Sequence, residues 1–249
     1  MAYKKNFLSK VICRCDFLDL FDIRLECPEP LKKSLRRMGP VEGVSKKLGG
    51  EFRITPDGIQ IGGKIEPSMV WSFADNDKGK KISLSEDFFA IEYDKYESFD
   101  LLLGDFNDIK KIITETLGVF TAKRLGLRFI DVFTMGGGDP LIWNEFITPE
   151  YLVTTESIPD KKDRKFLSRA FNKKEYTRSD MRVLIQYGIH NPSYPSPINL
   201  RQYILDTDIS SVGLLEDGLL AISLGSFHKE AKEIFESAIT ENLRKIMNE

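Results

Sequence analysis

The chain of 249 residues is 41% hydrophobic and nearly neutral, with 36 Lys and Arg against 38 Asp and Glu and a net charge of −2. That length builds a substantial core, as one large domain or two closely packed halves, and the charge balance excludes a protein that binds nucleic acid or a membrane surface over its whole exterior. No apolar run approaches the roughly 18 residues that span a bilayer, and the start, Met1-Ala2-Tyr3-Lys4-Lys5, has no apolar signal stretch.

Residues 7–18 mix apolar and polar positions as a strand does. Pro28 and Pro30 precede a short helix over 31–38 that Gly39-Pro40 ends. Glu51–Thr55 and Ile59–Ile61 alternate about the turn Pro56-Asp57-Gly58, a hairpin. Met69–Phe73, Lys81–Leu84 and Phe88–Tyr93 follow as strands joined by short turns, which implies antiparallel pairing. Leu102, Phe106, Ile109, Ile113 and Leu117 then repeat at helical spacing over 98–117, with Ser98 as N-cap and Gly118 just past the end.

The run 121–133 reads as a strand. Beyond it, Gly136-Gly137-Gly138 is a breaker, and Asp139-Pro140 opens a short helix over 141–147. Asp160 to Tyr176 reads as a strongly basic helix. Met181–Ile189 and Gln202–Ile209 alternate with period two around a loop holding Pro192, Pro195 and Pro197. A long helix from about 217 to 247 closes the chain, with Leu220, Leu224, Phe227, Ala231, Ile234, Ala238 and Leu243 on its apolar face. The expected fold is α+β: an antiparallel sheet packed against two long helices, in two related strand–helix halves, 1–134 and 135–249, suspected to be a diverged duplication.

Short motifs at four places carry a resemblance, the run from Tyr96 leading to that from Arg124 being one of them. They are Asn6-Phe7-Leu8 with Val11-Ile12, Val70-Trp71-Ser72-Phe73 with Ile82-Ser83-Leu84, Tyr96-Glu97-Ser98-Phe99, Arg124-Leu125-Gly126-Leu127-Arg128-Phe129-Ile130-Asp131, and Phe227-His228-Lys229 with Phe235-Glu236-Ser237-Ala238. On these, nearly the full chain resembles a sporadically distributed family of prokaryotic proteins of similar length and unassigned function. The resemblance brings no catalytic residues with it. The scattered distribution implies mobile or accessory genes linked to defence.

Candidate sites are few. Arg124 and Arg128 share a strand face about 13 Å apart. With Gly126 between them and Asp131 beyond, they either grip an anionic ligand through bidentate guanidinium contacts or pair with acids of neighbouring strands, such as Glu92 or Asp94. Residues 161–182 have a balance of +6 with Phe166, Phe171 and Tyr176 interleaved. Lys165, Arg169, Lys173, Lys174 and Arg178 there either contact nucleic-acid phosphates or line the wet side of an amphipathic helix.

Other features are weaker. The triple glycine lacks the Walker lysine and the G-x-G-x-x-G spacing. Asp206 and Asp208 share a face without a third carboxylate for a cation. His190 and His228 have no nucleophile beside them. Cys13, Cys15 and Cys27 lack zinc spacing and read as reduced thiols of a cytoplasmic chain. With no complete catalytic set, no metal and no cofactor, the expectation is a non-enzymatic binding or interaction protein that self-associates or meets a protein partner. Nucleic acid is the alternative, followed by an anionic small molecule at Arg124 and Arg128.

Overall fold

The computed structural model describes residues 3–18, 23, 25–48, 51–55, 58–62, 67–118, 121–155, 158 and 160–249. The turn residues Pro56 and Asp57 and the terminal Met1-Ala2 lie outside them. The chain is α+β. Nine strands form one sheet in the order β2-β5-β6-β7-β1-β8-β11-β10-β9, and β3 with β4 forms a separate hairpin. The strands are β1 (Leu8–Phe17), β2 (Val41–Leu48), β3 (Glu51–Thr55), β4 (Gly58–Gly62), β5 (Pro67–Asp75), β6 (Lys80–Leu84), β7 (Phe88–Tyr93), β8 (Ala122–Thr134), β9 (Ala170–Arg178), β10 (Met181–Ile189) and β11 (Gln202–Ser211). The helices are α1 (Glu29–Met38), α2 (Phe99–Leu117), α3 (Leu220–Ala238) and α4 (Glu241–Asn248).

This corrects the expectation of a sheet packed against two long helices in two related halves: the described residues hold a nine-stranded sheet with four helices of 8 to 19 residues. The terminal helix breaks because Ile239 leaves helical geometry and bridges to Ile147, while the Thr240 hydroxyl accepts from the Leu243 amide and starts α4 afresh. The helix expected over 141–147 is a set of turns, held by Trp143 Nε1 donating to Pro140 O at 3.0 Å. The basic helix expected over 160–176 is a 3-10 turn, Lys161–Phe166, followed by β9. The strand β2, unforeseen in sequence, pairs antiparallel with β5.

The chain divides into two compact units. The first comprises residues 1–12, 126–213 and 218–249. Its strands β8, β11, β10 and β9 pair antiparallel in that order, and α3 covers one face with Leu224, Phe227, Ala231 and Ile234 buried. Aromatic contacts lock this face, Phe133 lying 6.2 Å from Phe235 and Phe129 6.1 Å from His228.

The second unit comprises residues 13–125 and 214–217. Its meander of β5, β6 and β7 is antiparallel. The stripe Leu102, Phe106, Ile109 and Ile113 of α2 is fully buried, with Phe89 and Phe106 5.3 Å apart. Ser98 caps α2 as expected, accepting from the Leu101 amide. Cys13, Cys15 and Cys27 are free and buried. Burial pushes the Cys15 thiol up to about 12 and that of Cys27 to about 11, and raises Cys13 further, so these thiols stay protonated and inert at neutral pH. No helix among the described residues is long and apolar enough to cross a membrane.

Candidate binding surface

Alternation along β8 (Ala122–Thr134) sets Asp131 on the face opposite Arg128. Arg128 points to the face away from α3, where its guanidinium forks onto Asp206 of β11. Nε donates to Oδ1 at 2.7 Å and Nη2 to Oδ2 at 2.5 Å. That hydrogen bonding to Asp206 holds the guanidinium charged even though burial opposes it. Arg124 belongs to the second unit and lies 3.6 Å from Asp16, which Arg14 also grips at 2.6 Å while stacking 3.8 Å from the Phe88 ring. Glu92, one of the acids expected as a partner, lies 3.9 Å from Lys81. Asp16 is thus a partner of Arg124, and Asp206 of Arg128.

Asp131 faces the core beside Phe129 and Phe133, and only 7% of it is exposed. Burial, and secondarily the charge of Asp206, pushes its carboxyl up to about 7. Asp206 therefore has two roles: it neutralises Arg128 and repels a charge on Asp131. Asp206→Asn is expected to cost about 1–3 kcal/mol by breaking a charge-assisted fork. It should also move the Asp131 titration downward, read by carbon NMR of the carboxyl. A titration that does not move would show that the field of Asp206 fails to reach Asp131.

The basic segment is distributed by β9. Arg178 and Met181 flank the two-residue turn Ser179-Asp180, with Ser179 at φ 55° as the first central residue of a type II′ turn requires. Such a closing pair exchanges both backbone hydrogen bonds. Counting back, even-numbered β9 residues aim N–H and C=O at β10, and Phe171, Lys173, Glu175 and Thr177 aim theirs away. Among the described residues no strand lies beyond β9 in the sheet order, and eight of its nine residues are exposed.

Its side chains also divide. Lys174 turns beneath the strand, donating to Glu150 O at 3.1 Å with its ammonium 5.2 Å from the Tyr187 ring. Arg178 pairs with buried Glu230 of α3, which also accepts from the Tyr176 hydroxyl at 3.0 Å. Glu175 is held by Arg182 at 2.6 Å. Lys165 lies over Phe166 and Arg169 over Tyr194, and Lys173 meets no carboxylate among the described residues.

Glu230 and Tyr194 escaped sequence reasoning. A lone acid in an apolar helix stripe could have flagged Glu230; Tyr194 sits in a proline-rich loop with no periodic signal. Gly137 and Gly138 take φ 69° and 75°, with the Gly137 carbonyl accepting from Arg201 at 3.3 Å. Asp139 accepts from the Leu141 amide, but no helix follows it. His190 is half-buried, which lowers its pKa. Among the described residues no cluster of three His, Cys, Asp or Glu could hold a metal.

In the second unit a cavity of about 210 Å³ opens beside Lys80, Tyr93, Tyr96, Ser98 and Asp105. Lys80 and Tyr93 both donate to Asp105, at 2.9 and 2.7 Å, and so clamp α2 to the meander. No protein-family model, curated protein or solved structure matches the chain.

Proposed function

We propose that this chain is a non-enzymatic, cytoplasmic binding protein that works as a homo-oligomer, the free edge of β9 adding to β9 of a second copy. The observation that supports this reading is β9 itself, a terminal strand of nine residues whose outward backbone groups at Phe171, Lys173, Glu175 and Thr177 meet no further strand among the described residues. Two-fold antiparallel pairing keeps faces matched only when opposed residues share parity. Centred on Lys174, it sets Lys173 against Glu175 of the second copy twice and Phe171 against Thr177. The opposed Lys174 side chains do not meet, because each is drawn beneath its own strand onto Glu150 O. Registers one pair either way oppose Lys173 to itself or Glu175 to itself, which like charge disfavours. An accessory interaction role also accords with the resemblance to a sporadically distributed prokaryotic family.

Proline at an outward-facing position removes an N–H the partner needs and leaves the ladder to β10 intact. Sedimentation equilibrium should therefore find wild type heavier than the 28.5 kDa single chain and Glu175→Pro at the single-chain mass with its fold retained. Wild type sedimenting as one chain, or Glu175→Pro associating as wild type does, removes this reading.

A further inference from the structure

We infer that the corner of the first unit where β9 begins is a binding site for single-stranded nucleic acid. Three aromatic side chains face solvent there: Phe166 is 62% exposed, Tyr194 53% and Phe171 43%. Such rings are costly to leave wet and suit a partner that offers flat apolar faces. Two of the rings carry a cation beside them. The Arg169 guanidinium lies 4.0 Å from the Tyr194 ring centroid, and the Lys165 ammonium 4.8 Å from that of Phe166. Neither cation, nor exposed Lys162, is neutralised by a carboxylate among the described residues.

The corner is built rather than loose. Ile198 donates its amide to Leu167 O at 2.8 Å, and Asn191 Nδ2 donates to Ser168 O at 3.1 Å and to Ser196 O at 2.7 Å. These bonds hold the loop carrying Tyr194 against the segment carrying Arg169. Phe171 is fixed over Gly188, its β10 partner, where a side chain would clash. Aromatic faces interleaved with unpaired cations match a strand whose bases are unstacked and whose phosphates run alongside. A duplex hides its bases, and this corner of 3-10 turn, strand and loop offers no helix to enter a groove. An acidic peptide would meet the charges but leave the rings uncovered.

Phe166, Arg169 and Tyr194 lie outside β9, so of the site only Phe171 is shared with strand pairing, and the variants of the test are placed at the residues that are not. The test is fluorescence anisotropy of the full chain with labelled oligothymidylate and oligouridylate at several salt concentrations. Binding should weaken with a log–log salt slope of about −2, for three cations on a single strand. Tyr194→Ala and Phe166→Ala should each weaken it about tenfold, with melting temperatures unchanged. Tyr194→Phe should bind as wild type, as should Lys229→Glu on the exposed side of α3. Glu175→Pro should lose association and keep oligonucleotide binding, so the two readings fail separately. No binding at low salt overturns the inference. So does a duplex binding as tightly as the single strand, or wild-type affinity in both alanine variants. Competition by poly-glutamate or anionic phospholipid vesicles as strong as by unlabelled oligonucleotide overturns it as well.

Discussion

Asp131→Asn is expected to raise the urea midpoint at about pH 8 and change it far less at about pH 4. Asp131 is a carboxyl of the core face, flanked by Phe129 and Phe133 and opposite Leu205, with α3 supplying His228 against Phe129. Burial pushes it up to about 7 from an ordinary 3.8. Between those values the folded chain holds a proton that the unfolded chain has released. The stability linked to Asp131 is therefore greatest at the acid end of that window. It falls as pH rises through it and levels off above about pH 7. Each unit corresponds to about 1.4 kcal/mol, so the loss is on the order of 4 kcal/mol. Asn is neutral throughout and removes the slope. Urea denaturation of both proteins across the window measures it, and parallel profiles would show that Asp131 ionises as readily folded as unfolded.

Gly188→Ala is expected to lift the start of β9 off the sheet. The added methyl would sit 2.1 Å from Ala170 O and 2.8 Å from Phe171 Cα. Gly188 and Phe171 face each other at a site without mutual hydrogen bonds, where strand backbones approach most closely. Backbone atoms cannot rotate aside as a side-chain tip can. The cost should be about 3 kcal/mol, at the upper end of overpacking. The damage should be local. Hydrogen exchange would show the inward amides of Asn172 and Lys174 losing protection while those of α3 keep theirs, and self-association should vanish with the edge. Uniform loss of protection over the unit would show instead that β9 and α3 unfold together.

Legibility followed the range of the forces involved. The α2 helix was readable because Leu102, Phe106, Ile109 and Ile113 repeat along one stripe and Ser98 caps it, all within local reach. The β9 strand was not. Its side chains are exposed along nearly their whole run, so no alternation marks them, and Phe166, Leu167, Ala170 and Phe171 mimic a helical stripe. What makes it a strand is pairing with β10, a contact that composition does not show. The break at Thr240 carried a weak local sign, a hydroxyl residue followed by Glu241, overridden by an apolar face that continues through Leu243. At the candidate sites the residue types were legible and the partners were not. Arg128 was visible as an oddity, but Asp206 lies 78 positions away, and only strand register joins them.

The two tryptophans have a practical consequence. Trp71, 4% exposed, belongs to the second unit, and Trp143, 2% exposed, to the first. Each unit therefore carries one dry indole whose emission should shift to the red when that unit opens. The thiols at positions 13, 15 and 27 all lie in the second unit, which gives that unit an independent chemical readout. With Trp71→Phe, fluorescence would report the first unit alone while thiol trapping reports the second, in one tube and without an added label. Coincident curves would then show a single cooperative transition, and separated curves would order the two openings.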